Sequence, residues 1–100
     1  MDNEQIIMGI IMHGGNARSY AMRALQEARN NNFEAAYQLL EDSSEELNLA
    51  HKIQTDLIQA EVRGEPTEVS LLMVHAQDHL MNAMTVRDLA QEIIGLHESK

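Results

Sequence analysis

A helical period of apolar residues runs almost unbroken through this chain of 100 residues, and two short stretches interrupt it. The first is Asn30-Asn31-Asn32, and the second contains Gly64 and Pro66. They leave three segments, each far longer than the three turns of an average helix. The spacing predicts an all-α fold with helices over about residues 4–29, 32–62 and 67–97. Short connections make the three antiparallel, and a chain of this length (residues 1–100) fits one domain rather than two.

In the first segment Ile6, Ile7, Ile10 and Ile11 keep the 3.6-residue period, and small residues follow at Gly14, Ala17, Ala21, Ala24 and Ala28. A seam of that kind lets another helix come close, because no side chain holds the backbones apart. A kink at Gly14-Gly15 is the competing expectation there. Asn31 is placed to cap the second helix, with Glu34 returning the bond. That helix repeats Phe33, Leu40, Leu47, Gln54 and Glu61 every seven residues, with Ala36, Ala50 and Leu57 flanking the face. Leu39, Leu49 and Ile53 lie to another side, which suggests packing on more than one face. Gln54 then reads either as a hydrogen-bonding layer or as a long side chain reaching water. Gly64 and Pro66 end the helix. Thr67 is the expected cap of the third, whose first turn could start as late as Ser70. The third segment is apolar around nearly its whole circumference, as expected of a helix that also packs against other subunits.

Composition narrows the function classes. Seven Lys and Arg stand against sixteen Asp and Glu, a formal charge of -9, with no basic stripe, so nucleic acid is not expected as a partner. There is no cysteine, which excludes disulfides, thiolate chemistry and Cys-based zinc sites. Only 3% of residues are aromatic while seven are methionine, so the core is aliphatic and sulfur-rich and offers no sugar-stacking platform. The first residues lack the basic start and apolar run of a signal peptide, and no apolar run is bilayer-length. A cytoplasmic protein without membrane insertion is expected. No glycine-rich phosphate loop, HExxH or Ser-His-Asp motif occurs.

The informative segment is Leu71-Leu72-Met73-Val74-His75-Ala76-Gln77-Asp78-His79-Leu80-Met81-Asn82. His75, His79 and Asn82 stand at i, i+4 and i+7, with Asp78 at i+3, on one side of the helix. Burying such groups among apolar neighbours is costly unless each finds a partner. Three chemistries fit the spacing. A neutral imidazole can attack a phosphoryl group through one nitrogen while the other is held. His75 and His79 can share a metal, with Asp78 or Asn82 near it. Or the cluster is a satisfied structural network. Asp78 is open in the same way: facing the centre of an oligomer its copies would repel unless a divalent cation joined them, whereas otherwise it is hydrogen-bonded to His75, His79 or Gln54, or simply exposed. Of the other histidines, His13 reads as interfacial or partly exposed, His51 as structural and His97 as part of a fraying end.

The run Leu71 to Met81 resembles the signature of the lactose/cellobiose enzyme IIA family of the bacterial sugar phosphotransferase system. Similarity continues through Asn16-Ala17-Arg18-Ser19, Phe33-Glu34-Ala35-Ala36 and Leu47-Asn48-Leu49-Ala50-His51-Lys52-Ile53-Gln54-Thr55, and so covers nearly the whole chain in order. The stretch His13-Gly14-Gly15-Asn16 departs from the commonest family form, where an aspartate often stands at the position of Asn16, and Met73 replaces a frequent leucine.

The resemblance implies a homotrimer with a nine-helix bundle and a phosphotransferase activity that passes through a phosphohistidine. By resemblance the acceptor is His75, phosphorylated by the histidine-containing phosphocarrier protein and discharged to a cysteine of the cognate enzyme IIB, which works with the membrane permease enzyme IIC. Asp78 matches the family's axial aspartate, three copies of which hold a divalent ion, commonly Mg2+, for assembly. Gln77 matches a polar position beside that centre, and His79 and Asn82 are expected in support. The implied role is uptake of a β-disaccharide such as cellobiose, lactose or diacetylchitobiose. A histidine phosphotransfer domain of a signalling relay, or a noncatalytic metal-assembled helical scaffold, remain the alternatives.

Overall fold

Three helices make up the computed structural model, which describes residues 3–100: α1 (Asn3–Arg29), α2 (Phe33–Val62) and α3 (Leu71–Glu98). They fold back on one another in a bundle 52 Å long and 20 by 19 Å across. Helices of this length rise about 40–45 Å at roughly 1.5 Å per residue, so each runs most of the bundle's length.

The turns follow from local chemistry, with two corrections to the sequence reading. Asn31 does not cap α2. It takes a left-handed conformation (φ 62°) and closes α1 instead. The Asn31 N–H donates to the Ala28 carbonyl at 2.9 Å and the Asn32 N–H to the Glu27 carbonyl at 2.9 Å, the paired bonds of a Schellman end. Asn32 holds the N-cap position without a side-chain cap bond, and its amide Nδ2 donates to Glu27 Oε2 at 3.0 Å. Gly64 closes α2 in the same way: its φ of 88° suits a residue without Cβ, and the Glu65 N–H reaches the Ala60 carbonyl at 2.9 Å. The second correction concerns α3, which starts at Leu71 rather than at residue 67. The cap is Ser70, not Thr67, and its Oγ accepts from the Met73 N–H at 3.1 Å. Serine immediately before the first helical residue satisfies a free N–H that a threonine three residues earlier would not reach.

α1 is the central element and packs along both α2 and α3, which touch each other less. Its small-residue seam is the reason. Gly14, Ala17, Ala21, Ala24 and Ala28 are all buried, and the helix passes through Gly14-Gly15 without a break. The approach to α2 is close enough for Ser43, fully buried, to donate its Oγ hydrogen to the Ala17 carbonyl at 2.7 Å. That carbonyl has a second lone pair beyond its helical bond, so the buried hydroxyl is satisfied.

The core lies in two clusters. One joins Ala21, Ala24, Ala28, Ala36, Leu40, Ala90 and Ile94, with Phe33 and Val86 packed on it. The other joins Ile7, Ile10, Ala50, Met73, Ala76 and Leu80, with Leu47, Ile53 and Leu57 beside it. The heptad face of α2 fades along its length: Leu40 is buried, Gln54 half-buried and Glu61 exposed. Leu49, expected on a second packing face, is exposed. At the end of the bundle that holds the α1–α2 turn, Tyr37 donates its hydroxyl to Glu98 Oε1 at 2.6 Å. This bond and the neighbouring negative charge raise the phenol's pKa.

The seam generates a test. Ala21→Leu places three extra carbons where two backbones are closest, and should destabilise the bundle by about 1–3 kcal/mol. A urea midpoint equal to that of the parent would show that the seam is not close-packed.

Candidate functional site

Ser70 sets the register of the site. With the helix beginning at Leu71, His75 falls just beyond the first turn and His79 one turn later. Side chains on a helix lean toward its N-terminus, which carries the His75 ring over the first turn of α3. His75 is exposed and His79 half-buried. Their imidazoles stack, with centroids 6.0 Å apart and planes 16° from parallel. Neither ring makes a hydrogen bond or ion pair with the described residues, so packing alone orients them.

The packing comes from α1. A Cβ built on Gly15 would lie 3.3 Å from His79 Nε2, and one built on Gly14 would lie 3.4 Å from His79 Cδ2. The diglycine read in the sequence as a possible kink is instead the surface on which His79 rests. Sequence reasoning missed this role, because a pair of glycines inside a helix signals a break more readily than a seat. The available signal was that Gly14 belongs to the small-residue seam.

The other predicted residues take separate positions. Gln77 is half-buried and turned to α2, where its Oε1 accepts from Gln54 Nε2 at 2.6 Å. Its own amide donates to Met73 Sδ at 3.4 Å, and Gln54 reaches Met81 Sδ at 3.9 Å. Gln54 is thus part of a polar layer inside an apolar face, one of the two readings its heptad position allowed. Asp78 and Asn82 are exposed and make no hydrogen bond or ion pair with the described residues. No group of three His, Cys, Asp or Glu side chains among the described residues is arranged to hold a metal within the chain.

Of the remaining histidines, His13 is half-buried and its Nδ1 lies 2.5 Å from Glu46 Oε2. A carboxylate only accepts, so the imidazole donates and ties α1 to α2. His51 is exposed. His97 is half-buried rather than frayed, with its ring 5.7 Å from that of Phe33.

A wheel through α3 separates two faces. Met73, Ala76, Leu80, Ala83, Ala90 and Ile94 face the core. Opposite them, Leu71, Val74, Met81, Leu89, Ile93 and Leu96 are exposed, at 86%, 52%, 48%, 56%, 52% and 68% respectively. His75, Asp78, Asn82, Thr85 and Glu92 are exposed polar residues on the same outward side, interleaved with these apolar ones at three- and four-residue spacings.

The fold and the site together define a small all-helical protein that presents a stacked imidazole pair on a helix whose outer face carries exposed apolar side chains. Residues 5–98 match the family described as "PTS system, Lactose/Cellobiose specific IIA subunit". The chain belongs to that family and is a phosphoryl-carrying component of the sugar phosphotransferase system. It is 61% identical over 95 residues to the lichenan-specific phosphotransferase enzyme IIA component of Bacillus subtilis, covering 95% of this chain and 86% of the relative. The crystal structure of the cellobiose-specific enzyme IIA of Bacillus anthracis superposes with a TM-score of 0.94 at 50% identity, over 99% of this chain and 92% of that one. The IIA(Chitobiose) chain in the solution structure of its HPr complex, from the N,N'-diacetylchitobiose branch of the Escherichia coli system, gives a TM-score of 0.86 at 42% identity, over 99% and 96% of the two chains.

The Gln54–Gln77 layer is testable by a double-mutant cycle. Each alanine substitution should cost about 1 kcal/mol, and the pair should couple by roughly 0.5–1.5 kcal/mol in urea unfolding. Simple additivity would show that the bond contributes nothing.

Proposed function

We propose that His75 is the phosphoryl acceptor of this IIA component. The observation that carries the reading is an exposed imidazole, without a competing hydrogen bond among the described residues, framed by apolar side chains on the family's signature helix. A nitrogen lone pair of the neutral ring, that of Nε2, attacks the phosphorus carried by a histidine of the phosphocarrier protein. One N–P bond forms as the other breaks, and the donor imidazole leaves with the electron pair. Discharge repeats the exchange, with a cysteine thiolate of enzyme IIB attacking and the His75 imidazole leaving. Little covalent chemistry falls to the protein beyond alignment and charge stabilisation. The N-terminus of α3, one turn from His75, offers partial positive charge to the phosphoryl oxygens.

The partners follow from the surface and from the relatives. A chain of charge -9 attracts a basic docking face, and the exposed Leu72, one turn before His75, supplies apolar contact. One solved relative is a IIA–HPr complex, which supports the phosphocarrier protein as donor. Enzyme IIB, acting with the permease IIC, is the recipient. The described helices include none long and apolar enough to cross a membrane. A cytoplasmic carrier working beside the permease agrees with that. The named relatives serve lichenan, cellobiose and diacetylchitobiose, so the cargo class we assign is a β-linked disaccharide.

The outward stripe of α3 supports a homotrimer with these helices around the axis, since soluble monomers seldom expose so many large apolar side chains along one helix. Asp78 would then meet its two symmetry mates in an apolar setting. One carboxylate per chain cannot by itself enclose a cation, but three fit the hard-oxygen preference of Mg2+. The metal would be held by Asp78 and would cancel the carboxylates' repulsion, with no part in phosphoryl transfer. His79 supports the acceptor, Gln77 supports α3 from the α2 side, and Asn82 lies on the same outward side as His75.

Incubation with phosphoenolpyruvate, enzyme I and the phosphocarrier should label the parent with one acid-labile, base-stable phosphate. His75→Gln should abolish the label while circular dichroism stays helical, and persistent labelling would overturn the assignment. Separately, Asp78→Leu should remove magnesium binding and make the trimer more stable than the magnesium-free parent, because it exchanges three mutually repelling charges for apolar contact. Sedimentation showing the same oligomer and the same metal content as the parent would overturn the axial placement.

A further inference from the structure

We propose that Gly15 of α1 is a positioning residue of the phosphoryl-transfer site. The absence of a side chain there sets where the His79 imidazole lies, and His79 sets the plane of the His75 ring stacked on it. The inference rests on the reading of His75 as acceptor and adds a determinant on a different helix.

The argument begins with what does not hold the two rings. An imidazole that must attack in line is usually oriented by a hydrogen bond to its second nitrogen, yet His75 and His79 have none among the described residues. His75 is exposed, so solvent does not restrict its rotation about χ1 and χ2. Among the described residues its one ring contact is the near-parallel stack on His79 at 6.0 Å. His79 in turn is half-buried, and its Nε2 edge occupies the space a Cβ at residue 15 would crowd at 3.3 Å. A contact that tight displaces the ring by a few tenths of an ångström. Any side chain larger than hydrogen at residue 15 therefore tilts His79, and the tilt passes to His75. The lone pair of an imidazole nitrogen lies in the ring plane, so turning that plane moves the nucleophile off the line of the leaving nitrogen.

Gly9 provides a control on the same helix. A Cβ there would meet Ile53 Cδ1 at 3.2 Å, a similar crowding against the core and away from both histidines. Gly9→Ala and Gly15→Ala gain helix propensity equally, so backbone effects cancel between them.

The experiment is single-turnover transfer from the phosphorylated carrier protein at varied carrier concentration, for the parent, Gly9→Ala, Gly15→Ala and Gly15→Val, with and without His79→Ala. The maximal rate should fall about threefold for Gly15→Ala and tenfold or more for Gly15→Val, a small displacement losing less than the hundredfold of a full ångström. The half-saturating carrier concentration should stay put, and Gly9→Ala should match the parent. In the His79→Ala background, Gly15→Ala should cost nothing further. Nitrogen-15 imidazole spectra should show both the His79 and His75 signals moved in Gly15→Ala and unmoved in Gly9→Ala. A parental rate and parental ring signals in Gly15→Ala would overturn the proposal, as would a loss that persists undiminished without His79. His75→Gln retaining label would refute the acceptor reading alone, because the ring signals in Gly15→Ala still report whether Gly15 seats His79.

Discussion

The close approach of α1 to both of its neighbours is the constraint on which the rest of the molecule depends. With alanine or glycine at residues 14, 17, 21, 24 and 28, the backbone of α1 can run almost against α2 and α3. Much of the buried core is accordingly small: Ala36, Ala50, Ala76, Ala83 and Ala90 of the partner helices are all inaccessible to water. Contact over a long, smooth interface replaces the interdigitation of large side chains, and dispersion summed over many backbone atoms takes the place of a few bulky anchors. Ser43 fits this scheme, since its hydroxyl reaches the Ala17 carbonyl because nothing bulky stands between them.

The same closeness shapes the site. An imidazole on α3 can rest on the surface of α1 only where that helix is bare, and it is bare at Gly14-Gly15. Two residues whose individual conformational cost is unfavourable in a helix are thereby retained in a register that faces His79. The small-residue seam and the imidazole seat are two uses of one geometric fact. α3 then has little left to bury within the chain: one face meets α1 and α2, and the opposite face carries large apolar residues interspersed with polar ones, Asp78 among them.

Much of this was legible in the residues. Helix number and approximate bounds followed from periodicity because two interruptions, Asn30-Asn31-Asn32 and Gly64 to Pro66, are chemically unambiguous breakers. Their detailed roles were not. Asn31 and Asn32 are the same residue type in adjacent positions, and which one takes the left-handed conformation depends on where α1 stops. Likewise Thr67 and Ser70 are both competent caps, and the choice fell to the one adjoining the helix-compatible run beyond the proline. The histidine pair was visible as an i, i+4 repeat, and the polar layer through Gln54 was anticipated from its place in a heptad. The partner of that layer, Gln77, was not, since its distance to α2 is a tertiary quantity.

The sequence by itself determined a three-helix, acidic, cysteine-free chain with one distinctive polar segment, because helical period, charge and residue type are properties of neighbours along the chain. It also carried the resemblance to the IIA family, which the matched residues 5–98 established. Only the tertiary structure decided which groups on that segment meet. Gln77 turned inward to Gln54, Asp78 and Asn82 turned outward without partners among the described residues, and His79 was laid between His75 and the bare surface of Gly15. The physical reason is that residues on one helix side diverge by tens of degrees around the axis. A small angular difference, invisible in spacing alone, selects which of three surroundings each side chain enters.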